Sequence, residues 1–459
     1  MHKAFLFRKY FDVYFVELGD LRLYNGLRET ERSEEMTAQK DIYKTSRILY
    51  IFEALVEYLS SILVTGTFIA KVSATLGVSD SLTGVITAFT SLGCGFELFS
   101  LFVSRKNGVK KPVVISGLIN EILFIFIYAV PFVPIDKNLK IAIFVFCMLS
   151  GNILLKVFNS PKISWFMALV DDAKRGIFTS VKQMISLGVG VVFSMGMGYV
   201  SDSLAESGNI RGSFLVCAIT LFALMVIHFC TYIFSKEKPC NTPLVAAPVK
   251  ERLSLLIKNK AFLKAVLVCV LYNVANYISV SFYGTYQLKE LGFTLFYSQI
   301  VHGVYCLVRI CFEPYWGRYA DKYSFAKMFC VCMLICGVSF GVNFFTVREN
   351  GHVMYMVYTV LHAVATAGIN SALMNIILDV VPHGLRSDAL AIKNTAYGFA
   401  GFFTTFAVSP FVAFVQARGN SVFGVTVYAQ QILSLVTAVM MLGLSIYIKK
   451  SIIDKNAKG

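Results

Sequence analysis

The sequence predicts an all-α membrane protein with twelve transmembrane helices in two pseudo-symmetric six-helix bundles. The chain has 459 residues, of which 56% are hydrophobic and 15% charged, and its mean hydropathy is +0.67. A spanning helix needs about 20 mostly apolar residues, and many runs of that length are visible. Strands of a membrane barrel would instead be about ten residues long with alternating polarity. An internal repeat divides the runs into two sets of six.

The apolar runs give both the spans and the domain boundaries. We place the spans at 47–70, 80–103, 112–133, 140–160, 177–203, 213–234, 262–287, 296–316, 328–347, 353–379, 388–416 and 423–447. The predicted domains are an N-terminal tail (1–46), a first half (47–234), a central linker (235–261), a second half (262–448) and a C-terminal tail (449–459). The linker contains Pro239, Pro243 and Pro248 together with basic residues.

The basic residues indicate the orientation. They concentrate in the N-terminal tail, the 104–111 loop, the linker and the C-terminal tail. The connections on the opposite side hold only seven: Lys71, Lys137, Lys140, Arg211, Lys289, Arg348 and Arg418. The positive-inside rule therefore places both termini and the linker in the cytosol. We expect a monomeric, multi-pass protein of the plasma (inner) membrane, whose net charge of +15 reflects cytosolic loops and not a nucleic-acid partner.

Several function classes lack their sequence signatures. Most of the 11 cysteines lie inside apolar runs, and neither a disulfide framework nor a CxxC-type zinc site is present. The nucleotide-binding motif GxxxxGK[ST] and the hydrolase motifs HExxH and GxSxG are also missing. We therefore expect no enzyme activity, no cofactor and no metal, and transport driven by ATP on this chain is not predicted.

The two halves share short sequences in the same order. GTFIAK (66–71) matches GTYQLK (284–289), FELFSLFVSRKNG (96–108) matches FEPYWGRYADKYS (312–324), and RGIFTSVK (175–182) matches RSDALAIK (386–393). The offset stays just over 210 residues, so chance is a poor explanation. Two six-helix halves in one orientation fit parallel repeats related by an axis along the membrane normal.

The loop between the second and third spans of each half carries a motif. In the second half, four residues fit G-x-x-x-D-[RK]-x-x-x-x-[RK]: Gly317, Asp321, Lys322 and Lys327. The copy in the first half has Arg105 at the aspartate position and keeps Gly108. With the six-plus-six topology, this motif resembles that of the major facilitator superfamily (MFS). The resemblance implies an MFS-type fold, alternating access, and a substrate cavity between the halves near the midplane.

Four ionisable residues recur inside the spans of both halves: Glu97, Glu313, Lys182 and Lys393. At about 1.5 Å per residue, all four lie roughly 5–10 Å inside the cytosolic boundary. In the resembled family the second helix packs on the eleventh and the fifth on the eighth. This predicts a cytosolic gate of two pairs, Glu97–Lys393 and Glu313–Lys182, formed when the protein opens outward. Alternatively, Glu313 pairs with Arg309 on its own helix, and the lysines snorkel to the headgroups.

The first span carries two carboxylates, Glu53 and Glu57, one helical turn apart and therefore on one face. In a low dielectric two close carboxylates repel, so one of them can hold a proton near neutral pH. We predict proton-coupling or substrate contact for Glu53, Glu57 and Arg309. Attraction of a cationic substrate is the second possibility for the two carboxylates. The plainer possibility is a neutral glutamate, or one tied to Arg309 or Lys156.

Other polar residues near the midplane are candidates to line the cavity: Asn152, Asn273, Asn276, Tyr277, His362 and Asn370. Such side chains bind hydroxyl or amide groups of substrates, but they are also common in hydrogen bonds between helices.

The function expected from these features is secondary active transport of a small solute across the plasma membrane by alternating access, with protons as a candidate coupling ion. The expected partners are a small-molecule substrate, the lipid bilayer and protons. Two alternatives remain open: an efflux carrier for cationic or amphipathic compounds, and a non-transporting receptor or scaffold on the same fold.

Overall fold

A computed structural model describes residues 43–102, 108–170, 175–238, 249–382, 385–422 and 425–453. Within these ranges twelve helices are long and apolar enough to cross a membrane, which confirms the predicted fold class. They are α1 (Lys44–Thr75), α2 (Asp80–Phe102), α3 (Lys110–Phe132), α4 (Lys137–Met167), α5 (Arg175–Glu206), α6 (Ile210–Phe234), α7 (Lys260–Glu290), α8 (Leu295–Lys322), α9 (Phe325–Phe344), α10 (Gly351–Leu378), α11 (Arg386–Ala417) and α12 (Ala429–Ile448).

The helices alternate in direction. We call the side where α1 and α7 begin the linker face and the opposite side the far face. A short antiparallel hairpin joins α11 to α12 at the far face, with β1 (Ser421–Val422) paired to β2 (Val425–Thr426).

Polar residues start many of the helices. Ser79, Asp136, Asn209 and Thr294 each accept a hydrogen bond from a backbone N–H in the first turn of α2, α4, α6 and α8. Such caps satisfy donors that have no partner inside the helix. In a membrane protein they also define where a span stops, because unpaired backbone groups are not tolerated in lipid.

Helix α4 is longer than the sequence predicted. It continues through Pro161 and ends at Met167, whereas the hydropathy run ends at 160. The extension adds Lys162 to the interior of the first half, where its side chain is 7% exposed. Lys162 lies beyond the predicted run, but the helix continues past it because carboxylates inside the bundle pair with its charge.

Each half has its own hydrophobic core. One cluster of buried residues extends from Val56 to Leu224 and includes Phe124, Phe144 and Phe214, with Leu295 of α8 added to it. A second cluster extends from Leu256 to Ile448 and includes Phe329 and Phe340. The halves therefore pack internally, and contact each other along a separate set of helix faces.

Glycines allow the two halves to approach closely. A Cβ atom at Gly284 of α7 would lie 2.9 Å from the carbonyl oxygen of Gly66 in α1, and these are the two glycines of the repeated GT motif. A Cβ at Gly398 of α11 would lie 2.3 Å from the backbone nitrogen of Gly95 in α2. Small residues at such crossings let helix backbones come together in lipid.

The described parts of the linker attach to both halves. Glu237 accepts from the backbone N–H of Val109 at 2.6 Å, at the positive end of α3. A short helix, Val249–Lys258, precedes α7, and its Arg252 forms an ion pair with Asp388 of α11 (Nε to Oδ2, 3.0 Å). Leu256 of the same helix is buried in the second core.

Candidate functional site

Buried charges cluster inside the first half, and α1 supplies two of them. Glu53 and Glu57 face α4 together, as their spacing predicts, and the ammonium group of Lys162 lies between them. Its Nζ is 2.9 Å from Glu53 Oε1, and it also pairs with Glu57. The Glu53 side chain is 1% exposed and that of Glu57 is 29% exposed. Glu57 is therefore the accessible end of this arrangement.

Helices α3 and α6 extend the arrangement in the other direction. His228 Nε2 lies 3.3 Å from Glu53 Oε1, while its Nδ1 pairs with Glu121. Tyr232 donates to Glu53 Oε1 at 3.4 Å. Because both ring nitrogens face carboxylates, a doubly protonated imidazole can donate to both. We call Glu53, Glu57, Glu121, Lys162 and His228 the charged cluster.

Aromatic rings cover the charged cluster toward the linker face. Tyr50 stacks on Phe166 with ring centroids 4.4 Å apart, and Trp165 stacks on Phe166 at 4.4 Å. Tyr232 continues the stack, 6.1 Å from Trp165. The rings keep water from one side of the cluster, and in such a low dielectric each charge interaction becomes stronger than in water.

A small cavity adjoins the charged cluster between α1, α3, α4 and α6. Its volume is about 50 Å³, and its polar lining includes Ser60, Asn120, Asn159, Glu57 and Lys162. A water molecule needs roughly 10–15 Å³ of such space and several polar partners. The cavity can therefore hold a few waters against the charges, which is what proton exchange at a buried carboxylate requires.

The charged cluster contains three carboxylates and two basic groups. With Lys162 and His228 both protonated, one negative charge is left over within the cluster, and Lys156 and Lys182 lie outside it within electrostatic range of Glu57. An ionised carboxylate in the membrane interior is expensive, so the cluster is suited to exchanging one proton. Glu57 is the most accessible carboxylate for it.

Arg309 does not join this cluster. Its Nη2 donates to Glu313 Oε1 at 2.8 Å, four residues along α8, and its guanidinium lies 5.7 Å from the Tyr305 ring centroid. The local pair considered for Glu313 is therefore present. The link of the α1 glutamates to Arg309 or Lys156, considered from the sequence, is replaced by the link to Lys162.

The four predicted gate residues lie at the linker side of the interface, but the two gate pairs are not formed. Glu97 accepts from Asn394 Nδ2 at 2.9 Å, and Lys393 donates to the same Asn394 at 2.8 Å through its Oδ1. Lys182 donates to Tyr50 at 3.0 Å within the first half. The gate was predicted for the outward-open state, so its pairing stays a prediction.

The far face is closed by polar contacts between the halves. Asp80 of α2 pairs with Lys289 of α7 and accepts from Gln416 of α11 at 2.7 Å. Asp202 of α5 accepts from the backbone N–H of Phe296, at the positive end of α8, at 2.7 Å. We call these contacts the far-face latch. They indicate a conformation closed at the far face.

The latch uses a pair of repeat-related lysines. Lys71 ends GTFIAK and Lys289 ends GTYQLK. Lys71 pairs with Asp202 at 3.4 Å, whereas Lys289 pairs with Asp80. Each half thus contributes one lysine to the far-face latch, whereas both aspartates belong to the first half, so of the two lysines only Lys289 pairs across the interface.

Two predicted cavity residues pack between helices. Asn152 donates to the carbonyl of Met148 at 2.8 Å and is buried against α2, and Asn273 donates to the Tyr397 carbonyl at 2.7 Å. Asn273 Oδ1 is buried and has no partner among the described residues.

The other predicted cavity residues differ in their surroundings. Asn276 Oδ1 is buried without a described partner, and Tyr277 lies beside Ser91 and Thr90 of α2. His362 packs within an aromatic group, 5.2 Å from Phe340. Asn370 is exposed. Contact of any of these residues with substrate stays a prediction.

The predicted loop motif lies at the linker face. Gly317, Asp321, Lys322 and Lys327 are exposed, and no hydrogen bond or ion pair to Asp321 is present in the part of the chain that the structure describes. Lys322 and Lys327 flank the Tyr323 ring. In the first-half copy, Gly108 has a φ of 79°, and a Cβ there would lie 2.9 Å from Glu237 Oε2. Arg105 lies outside the described residues.

Three members of the charged cluster, Lys162, His228 and Glu121, were not predicted as site residues from the sequence. Lys162 was placed beyond the end of its span, and His228 stands alone in a strongly apolar run. The sequence did carry one signal: Glu121 and His228 are isolated ionisable groups on different spans, and each such group needs a partner.

Comparison with known proteins agrees with this architecture. The sequence profile of the Major Facilitator Superfamily matches residues 50–405 and 277–451. No curated protein sequence matches significantly. Among solved structures, a D-xylose-proton symporter is 14% identical with a TM-score of 0.65, covering 88% of this chain and 97% of its own.

Two further solved structures have the same fold. The nucleoside transporter NupG is 14% identical with a TM-score of 0.63, covering 88% of this chain and 98% of its own. An auto-inhibited POT family peptide transporter is 9% identical with a TM-score of 0.65, covering 88% and 96%. The match to the family profile covers most of the chain. The chain therefore belongs to the Major Facilitator Superfamily and is a multi-pass membrane transporter, not an enzyme.

Proposed function

We propose that this protein is a proton-coupled secondary active transporter that moves a small polar solute across the plasma membrane by alternating access. The observation that carries the proposal is the charged cluster. Three carboxylates share two basic partners deep in the first half, and Glu57 is partly accessible. A site with one surplus carboxylate beside a hydrated cavity can load and release a proton during the transport cycle.

The proton acts through Lys162. When Glu57 is ionised, Lys162 bridges Glu57 and Glu53, and α1 and α4 are held together by two charge pairs. Protonation of Glu57 removes one of these pairs and leaves Lys162 to Glu53. A ligand shifts a conformational equilibrium only through different interactions in the two states, and this change of pairing is such a difference for the proton.

The far-face latch and the proposed gate form in opposite conformations of the transport cycle. The latch closes the far face, and the gate closes the linker face. The structure has the latch formed and the gate pairs apart. With the orientation predicted by the positive-inside rule, it corresponds to an inward-facing state with both termini cytosolic. Opening the far face would break the latch, and Glu97–Lys393 and Glu313–Lys182 would form at the linker face.

Two further observations bear on the proposal. A structural neighbour is titled a D-xylose-proton symporter, so the fold is compatible with proton coupling. The acids deep in the described spans all have partners: Glu53 and Glu57 bind Lys162, Glu121 binds His228, and Glu97 and Glu313 bind Asn394 and Arg309. This leaves no free carboxylate for a cationic substrate, and efflux of cations is the less supported alternative.

Uptake into proteoliposomes tests the proposal. The purified full chain is reconstituted and offered a panel of labelled sugars, nucleosides, peptides and organic acids, with and without an inward proton gradient. We expect one class of solute to accumulate above equilibrium with the gradient, and only to equilibrate after an uncoupler is added. Accumulation that ignores the gradient would contradict proton coupling, and the absence of any uptake would contradict the transport function.

A further inference from the structure

Two lysines lie near one glutamate on the linker side of the interface between the halves. Glu97 of α2 lies within electrostatic range of both Lys156 of α4 and Lys393 of α11. Neither lysine has a carboxylate oxygen within ion-pair distance in the described chain. Lys393 is 9% exposed and donates only to the neutral side chain of Asn394, at 2.8 Å. Glu97 is therefore the acid that both lysines approach, and one of its carboxylate oxygens accepts from Asn394.

Lys156 is a partly buried cation on α4. Across the described residues its ammonium group makes no hydrogen bond or ion pair, although the side chain packs on α2, with its Cγ 3.0 Å from where a Cβ of Gly93 would lie. Its electrostatic neighbours are Glu57, Glu97 and Tyr277, from α1, α2 and α7. Lys156 thus points into the region where the two halves meet.

Lys162, six residues further along α4, shows how the same helix accommodates a cation that has carboxylate partners. It is paired with two carboxylates. The repeat offset of 211 that relates 175–182 to 386–393 relates Lys156 to Ala367 in α10. The fold therefore does not need a cation at this position for packing. An unpaired lysine is expensive near the centre of a membrane, and it is retained where a ligand or cavity water solvates it.

Further hydrogen-bonding groups lie on α7, whose Tyr277 is near Lys156, and on α11. Asn276 on α7 presents a buried Oδ1 without a partner in the described ranges, and Tyr277 is its neighbour in the sequence. Tyr397 lies under Lys393, with the ammonium group 5.2 Å from the ring centroid. A ligand with hydroxyl or amine groups can donate to the free oxygen while its acidic group binds the lysines.

We propose that Lys156 and Lys393 form the binding site for the acidic group of the transported solute, which is a small organic anion with a carboxylate or a phosphate. This inference rests on the proposed transport function and narrows its substrate class. A lysine is a point charge that binds either group, so the carboxylate and the phosphate are compared in the experiment. In the opposite conformation, the predicted pairing of Glu97 with Lys393 would compete with the anion and assist its release.

Ligand-induced stabilisation of the purified full chain tests the site. The probes are acetate, inorganic phosphate, glucose and choline at constant ionic strength, and the readout is the shift of the thermal unfolding midpoint with concentration. A ligand that binds only the folded state raises that midpoint. We expect a saturable shift with acetate or phosphate and none with glucose or choline. The anion that raises the unfolding midpoint at the lower concentration identifies the acidic group.

Variants make the test specific. Lys156→Met and Lys393→Met should each weaken anion binding by about tenfold or more, since a hydrogen bond to a charged group contributes about that much. Lys156→Arg should retain binding. Lys137→Met, at the far end of the same helix and exposed, is the matched control and should behave as the natural chain. Because it removes a partly buried charge that has no ion pair in the described ranges, Lys156→Met should also unfold no earlier than the natural chain without ligand, so lost binding is not lost folding.

Other results would contradict either the anion site or the transport proposal, and they can be told apart. Absence of any anion-specific shift, or shifts that persist unchanged in Lys156→Met and Lys393→Met, would overturn the site. If the anions stabilise the chain but no solute enters proteoliposomes, the site stands and the transport proposal fails. If a neutral or cationic solute is transported and no anion binds, transport stands and the anion site fails.

Discussion

At the scale of single residues, Lys162 is the cation that stabilises the buried glutamates of the first half. It lies between Glu53 and Glu57, while His228 occupies the remaining side of Glu53. A buried charge pair is not strongly stabilising when compared with apolar packing. Removing one partner is nevertheless strongly destabilising, because the other charge stays buried and unpaired. The charged cluster is therefore most sensitive to the loss of its basic members.

This sensitivity gives a stability prediction. Lys162→Met should lower the free energy of unfolding by about 3–5 kcal/mol, because Glu53 is 1% exposed and loses its closest cation. Thermal unfolding of the purified protein in detergent measures the effect. The double variant Glu53→Gln/Lys162→Met should recover part of the loss, whereas equal midpoints for the single variant and the natural chain would refute the pairing.

The sequence predicts part of this site. The four-residue spacing of Glu53 and Glu57 places them on one face, and the structure keeps them there. Their partner was missed, because the predicted span ends at residue 160 while the helix continues through Pro161 to Met167. The link from Glu121 to His228 joins residues 107 positions apart, and only three-dimensional packing decides which isolated acid meets which isolated base.

At the scale of helices, the crossing of α2 and α11 depends on glycine. Gly398 lies against the backbone of Gly95 and Ser91, and Ser91 donates to the Gly398 carbonyl at 3.0 Å. The sequence predicts the helices and the repeat from apolar runs and matched motifs. It does not predict which of the 32 glycines lie at crossings, since a glycine inside a span looks the same whether it faces lipid or another helix.

A substitution at the crossing should separate the halves. Gly398→Val would place a side chain 2.3 Å from the Gly95 nitrogen and 2.5 Å from the Ser91 carbonyl oxygen, and neither backbone atom can move without displacing α2. We expect transport to fall by at least about tenfold, as misplacements of about 1 Å can cost a hundredfold in rate. Uptake per inserted protein is the measurement.

The matched control for this crossing is Gly443→Val in α12, where nothing lies within 4 Å of the added carbon. It should insert and transport as the natural chain does. Equal uptake by Gly398→Val and Gly443→Val would show that the close approach of α2 and α11 has no importance for the cycle.

At the scale of the whole molecule, polar contacts between the halves close the far face. At the far face, the latch joins α2 and α7, and also α5 and α8. Nearby, Ser81 of α2 and Ser409 of α11 lie with their hydroxyl oxygens 2.5 Å apart. Alternating access requires these contacts to break once in each cycle.

A reversible cross-link at this point tests the movement. In the double variant Ser81→Cys/Ser409→Cys the two sulfur atoms lie close enough for a disulfide, which would hold the far face closed. We expect oxidation to stop uptake and a reductant to restore it, as measured in proteoliposomes. Each single variant serves as the control for the native cysteines. Full uptake by the oxidised double variant would mean that the far face does not open.

Proton movement driven by the solute itself is the most direct test of coupling at Glu57. Binding free energies are reciprocal, so a solute whose transport is linked to protons must carry protons with it. The transported solute is added to proteoliposomes that contain a pH-sensitive dye, without any starting gradient. We expect the lumen to acidify with the natural chain, and to do so at least about tenfold less with Glu57→Gln, while solute exchange continues in both. Equal acidification with Glu57→Gln would contradict coupling at Glu57, and no acidification with the natural chain would contradict proton coupling altogether.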